Sequence, residues 1–82
     1  MKYKFENGLG VSVIDDGGYG RGGLFELALL KDGEVAYNRD LGFSDVKGWL
    51  TADEAAKVLT EVSKYDPKGK EFTDTPLSYF ED

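Results

Sequence analysis

Cysteine and histidine are both missing from this chain of 82 residues. Without cysteine there is no disulfide framework and no thiolate metal site. Without histidine the commonest general base and the commonest zinc ligand are gone. Basic residues run short as well, ten against sixteen acids, for a formal net charge of −6. That deficit argues against binding a nucleic-acid backbone, which wants a basic face. It permits the reverse, contact with a basic surface on another protein. The longest apolar stretch, "LFELALL", is too short to span a bilayer and carries Glu26. Met1-Lys2-Tyr3-Lys4 enters charge alternation at once, so the reading predicts no signal peptide, no membrane and a cytoplasmic protein.

What is present suits one small domain. Hydrophobic residues make up 40%, with one tryptophan, five tyrosines and five phenylalanines, enough to fold rather than remain disordered. The charge is uneven: the last stretch, "EFTDTPLSYFED", holds acids and no base.

Two segments read as hairpins. In "KYKFENGLGVSV" a two-residue Asn-Gly turn would set Phe5 beside Gly10 and Tyr3 beside Ser12, wasting the apolar face. A three-residue loop, Glu6-Asn7-Gly8 with Gly8 left-handed, pairs Phe5 with Leu9 and Tyr3 with Val11, so Met1, Tyr3, Phe5, Leu9, Val11 and Val13 share a face. In "LFELALLKDGEVAYNR" the same logic predicts a Lys31-Asp32-Gly33 loop that pairs Leu30 with Glu34 and Leu29 with Val35. Phe25, Leu27 and Leu29 then align with Val35, Tyr37 and Arg39. A helical reading of "LFELALLK" is the alternative, since its apolar run is nearly continuous.

The helix has clearer marks. Thr51 and Glu54 form a capping box, with Leu50 and Ala55 placed for a hydrophobic staple. Ala55, Val58, Leu59, Val62 and Tyr65 make one stripe, while Asp53 and Lys57 pair on the other face. Pro67 pulls Asp66 out of helical geometry, ending the helix near Tyr65. The expected fold is α+β: a four-stranded antiparallel sheet of two hairpins with one C-terminal helix on one face, in two layers. Residues 1–66 form the domain and 67–82 an acidic-aromatic tail packed on it. The other sheet face would hold Ile14, Leu24, Ala28 and Leu30. Its expected cover is the tail, through Phe72, Leu77, Tyr79 and Phe80, or a second copy in a homodimer.

"DDGGYGRGG" contains G-x-G-x-x-G at Gly18, Gly20 and Gly23. A dinucleotide fingerprint needs a helix opening at the last glycine, but "LFELALL" follows, and Asp15 and Asp16 would meet the phosphates. Those two acids also lack the alternating spacing of a calcium loop. The segment reads as an inter-hairpin loop. Tyr19 and Arg21 in it are candidate interface anchors; otherwise Tyr19 folds back on the sheet and Arg21 is solvated. Trp49, just before the helix cap, reads as an aromatic plug between helix and sheet, with ligand stacking as the alternative. Arg39 with Asp40 reads as a rim salt bridge, or else an anion grip. Ser12, Ser44, Ser63 and Ser78 have no histidine to activate them and no nucleophile elbow, so no enzyme activity and no cofactor are expected.

A short "YKFENGLGVSV" hairpin, a Gly/Tyr loop, "LFELALL" and "GWLTADEA" leading into the helix together resemble small proteins encoded by bacteriophages and prophages. The likeness covers roughly residues 3–65 and no catalytic motif, so it carries over no functional residues. It implies a context: small acidic phage proteins often inhibit host machinery, including CRISPR nucleases and other nucleic-acid-binding defence proteins. The expected function is therefore a non-enzymatic inhibitor or modulator that binds a basic surface on a bacterial host protein. Asp74, Glu81 and Asp82 would stand in for phosphates, with Tyr19, Arg21, Tyr79 and Phe80 as anchors. The alternatives are a small-ligand binder or sponge, for a nucleotide, using the glycine loop with Arg21 and Arg39, and a dimerising structural module.

Overall fold

A computed structural model describes residues 1–15 and 24–77. Strands β1 (Lys2–Lys4), β2 (Leu9–Asp15), β3 (Phe25–Lys31), β4 (Glu34–Val35) and β5 (Lys47–Leu50) precede a single helix, α1 (Ala52–Lys64). The sheet is antiparallel, with β1-β2-β3-β4 in order and β5 added against β3. The described residues form an α+β fold with one helix, and β5 is a strand beyond the four expected.

The first hairpin has the expected register. Tyr3 pairs with Val11, Phe5 N–H donates to Leu9 O at 2.8 Å, and Gly8 is left-handed at φ 85°. The second differs by one residue. Leu30 pairs with Val35 and Lys31 with Glu34 across a two-residue turn. Asp32 and Gly33 both take positive φ, 53° and 85°, the pattern of a type I′ turn that suits hairpin twist. Aspartate tolerates the left-handed region, so no third residue is needed. Val35 consequently faces Leu30 and is 46% exposed, while Ala36 takes the place beside Leu29, donating its N–H to Leu29 O at 2.9 Å.

β4 and β5 share one edge of β3. β4 meets its C-terminal end at Leu30 and Lys31; β5 meets its N-terminal end at Phe25 and Leu27. The chain between them leaves the sheet in a loop closed by the Asn38–Phe43 bridge. Asn38 is buried but satisfied: its Nδ2 donates to Glu71 O at 3.1 Å and its Oδ1 accepts from Leu41 N at 2.9 Å.

The capping box at Thr51 forms as expected. Thr51 Oγ1 accepts from Glu54 N at 3.2 Å, and Glu54 Oε1 accepts from Thr51 N at 2.9 Å. The bond from the Thr51 backbone holds the Glu54 carboxyl below its usual range. Ala55 and Val62 join the buried cluster of Leu9, Val11, Leu27, Leu29 and Phe43, with Leu50, Val58, Leu59 and Tyr65 packed around it. Apolar residues at 3.6-residue spacing on α1 thus meet alternate residues of β2 and β3, which is why one helix suffices.

The far end of the helix is held from the first hairpin turn. Asn7 Nδ2 donates to Val62 O and Tyr65 O, both at 2.8 Å, while its Oδ1 accepts from Leu9 N at 3.0 Å. Val62 O also accepts the Tyr65 N–H at 3.3 Å, a long bond at the helix C-terminus, so the side chain reinforces the cap from another element. Asn7→Ala should cost about 1–3 kcal/mol in urea unfolding, the range for leaving partly buried polar groups unpaired. Asn7→Asp should be no better, because a carboxylate cannot donate to carbonyls. An aspartate variant as stable as the parent would show that the clamp contributes nothing.

Candidate interaction surface

β5 does not run straight. Phe25 pairs with Leu50 and Leu27 with Lys47, so Gly48 and Trp49 together oppose Glu26 alone. This is a β-bulge, an irregularity that bends a strand and re-aims a side chain. Trp49 takes φ 62°, a conformation rare for a bulky residue, and is 65% exposed. The expected aromatic plug is therefore corrected: Leu50, one residue on, packs at the junction of helix and sheet, and the bulge holds Trp49 outside the core.

Register places further exposed groups in the same row. Glu26 pairs across to Ile14, which is 55% exposed on the face opposite the helix. Asp45 precedes β5 and Asp53 opens α1; both are exposed, whereas β5 itself carries a single cation, Lys47. Lys47 Nζ sits 5.3 Å from the Phe43 ring centre. β2 ends and β3 begins here, with Asp15 paired to Phe25, and the expected inter-hairpin loop falls between them in sequence.

Tyr19 and Arg21 in that loop, and Tyr79, Phe80, Glu81 and Asp82 at the other end of the chain, lie outside the described residues. Asp74 is described and exposed, with an Oδ1 that accepts from Thr75 Oγ1 at 3.4 Å. Its position is held from both sides. Thr73 bridges Tyr37, and Leu77 donates its N–H to Ser44 O at 2.8 Å. Phe72 does not cover the face opposite the helix, as expected of it. It packs with the helix-side core, edge to face with Tyr65 at 6.4 Å between ring centres. On the opposite face Leu30 is only 5% exposed.

Arg39 and Asp40 line a hollow of about 240 Å³ with Glu71. Two carboxylates beside one guanidinium oppose an anion there. Asp40 also accepts from the Tyr65 hydroxyl at 2.8 Å. Burial of the ring, and then this bond, raise the Tyr65 pKa above its usual value. Two hollows of about 450 Å³ flank the hairpin tips, one lined by Lys2, Lys4, Gly10 and Leu30, the other by Asn7, Tyr65 and Lys68. Asp32 borders both, with its carboxylate 3.3 Å from Lys31 Nζ.

Among the described residues no group of three or more metal-ligating side chains occurs, and no helix is long and apolar enough to cross a membrane. Sequence reading missed the bulge; its one signal was Gly48 beside Trp49 in a short polar segment. Compared with family models, curated proteins and solved structures, the chain matches none.

Proposed function

We propose that this chain is a non-enzymatic interaction protein of phage type, which inhibits or modulates a host protein by binding its basic surface. The observation that carries this reading is the disposition of charge. Sixteen acids face ten bases, and every aspartate and glutamate among the described residues is exposed. Several of these acids also have local duties, such as Glu54 in the helix cap, Asp40 accepting from the Tyr65 hydroxyl, and Asp45 and Asp66 accepting from nearby backbone N–H groups. All of them stay solvent-facing whatever their local duties, and an excess of acidic surface lowers the stability of a compact state while attracting basic partners. Surfaces that handle nucleic acid are basic because phosphate is acidic. Carboxylates such as Asp74, Glu81 and Asp82 would occupy those phosphate positions, with Tyr19, Arg21, Tyr79 and Phe80 as anchors; a CRISPR nuclease is one such target.

The test is capture of a host protein on the tagged chain, washed at low and then high salt. A basic nucleic-acid-handling partner should be retained at low salt and leave at high salt. Reversing Asp74, Glu81 and Asp82 to lysine should weaken capture and flatten its salt dependence. Unchanged capture by the reversed chain would sink the acidic-tail version of the mechanism.

A further inference from the structure

We propose that the Trp49 bulge is a contact site of this chain and that it takes an arginine-rich segment of the partner protein. The proposal rests on the interaction reading above and adds a place and a chemistry to it. The first argument is conformational. A left-handed backbone favours glycine and disfavours a large side chain. Here the two residues stand in the reverse order from that preference. Gly48 has no positive φ and, among the described residues, nothing within 4 Å of where a Cβ would stand, whereas Trp49, beside it, has φ 62°. Backbone conformation alone would exchange them.

The second argument is burial. An indole that braced the fold would be covered, yet Trp49 is 65% exposed and outside the core cluster. A large aromatic held outward at a conformational cost is a feature of binding sites, where tryptophan is the most enriched anchor.

The third argument selects the partner. Trp49 opposes Glu26 on the bulge, Ile14 continues the row, and Asp45 and Asp53 flank the strand. An aromatic surface beside carboxylates suits a guanidinium, whose plane stacks on indole while its N–H fork engages a carboxylate. The ammonium of lysine lacks both the plane and the fork, and an acidic segment would be repelled.

Trp49 is the only tryptophan, so its emission reports the site directly. The full chain is titrated with a poly-arginine peptide at physiological salt, then with poly-lysine. Arginine should shift the emission with a saturable curve and bind more tightly than lysine. Anisotropy of labelled peptide should show binding weakened about tenfold or more by Trp49→Gly, the scale of a hot-spot residue, and weakened also by Glu26→Gln. The melting temperature of Trp49→Gly should hold or rise, because glycine relieves the left-handed strain. Equal peptide binding by Trp49→Gly would overturn the site while leaving the interaction reading standing. A fall of more than about 5 °C in its melting temperature would make Trp49 structural and overturn the proposal too. If the parent captures a host partner but ignores poly-arginine, the arginine assignment fails alone. If it does neither, the interaction reading fails with it.

Discussion

Phe43→Ala should lower the free energy of unfolding by about 3–5 kcal/mol, the cost of emptying a fully buried aromatic site. Phe43 is 0% exposed and stands in the loop between β4 and β5, where its backbone bridges Asn38. It is the one residue of that loop in the buried cluster, so it ties an excursion of the chain to Leu27, Leu29 and Val62. Domains of this size hold about 5–15 kcal/mol in total, so the loss would be a large fraction. Urea unfolding followed by circular dichroism measures it. Phe43→Leu, which keeps most of the apolar volume, should cost clearly less. A loss below about 1 kcal/mol for alanine would mean that the loop is not anchored through this ring.

Gly10→Ala should be the next most damaging change, at about 1–3 kcal/mol, the cost of forcing extra volume into a packed site. A Cβ at this position would lie 2.4 Å from the carbonyl oxygen of Tyr3 and 3.6 Å from Lys4 Cα. Those are backbone atoms, so no side chain can swing aside, and β1 must move away from β2. The loss should therefore show as faster amide exchange over Lys2–Lys4 as well as a lower urea midpoint. Gly48→Ala is the control. Among the described residues nothing lies within 4 Å of its Cβ position, and stability should stay within about 0.5 kcal/mol. Equal stability of the Gly10 and Gly48 variants would contradict the close approach of β1.

The parts of the fold that could be read from sequence are those whose signals are local. Gly8 and the alternation around it favour one register of the first hairpin, because the other turns Tyr3 and Phe5 out of the core. Thr51 and Glu54 mark the helix start in the same way, three residues apart. The second hairpin misled because Asp32 took a left-handed conformation that a three-residue loop would have left to Gly33. β5 has only four residues, with a charge and a glycine among them, so nothing in "KGWL" announces a strand. Trp49 misled for a related reason. Hydrophobicity assigns tryptophan to an interior, whereas the bulge that exposes it exists only once β5 lies against β3. Of the candidate contact residues, Asp74 alone falls in the described chain, and its exposure agrees with its polarity.

The Asn7 clamp also has a consequence for the order in which the chain is made. Its partners Val62 and Tyr65 follow it by 55 and 58 residues. At roughly 5–20 residues per second, a ribosome needs about 3–12 s to supply them. During that interval Leu9 and Val11 lack the helix that covers them, because α1 has not been synthesised, and a lone two-stranded hairpin is marginal in water. The type I′ turn and β3 arrive midway and shelter one edge, but not the face. Chains truncated before Val62 should thus leave that face open, because the same last turn of α1 supplies both its cover and the partners of the clamp.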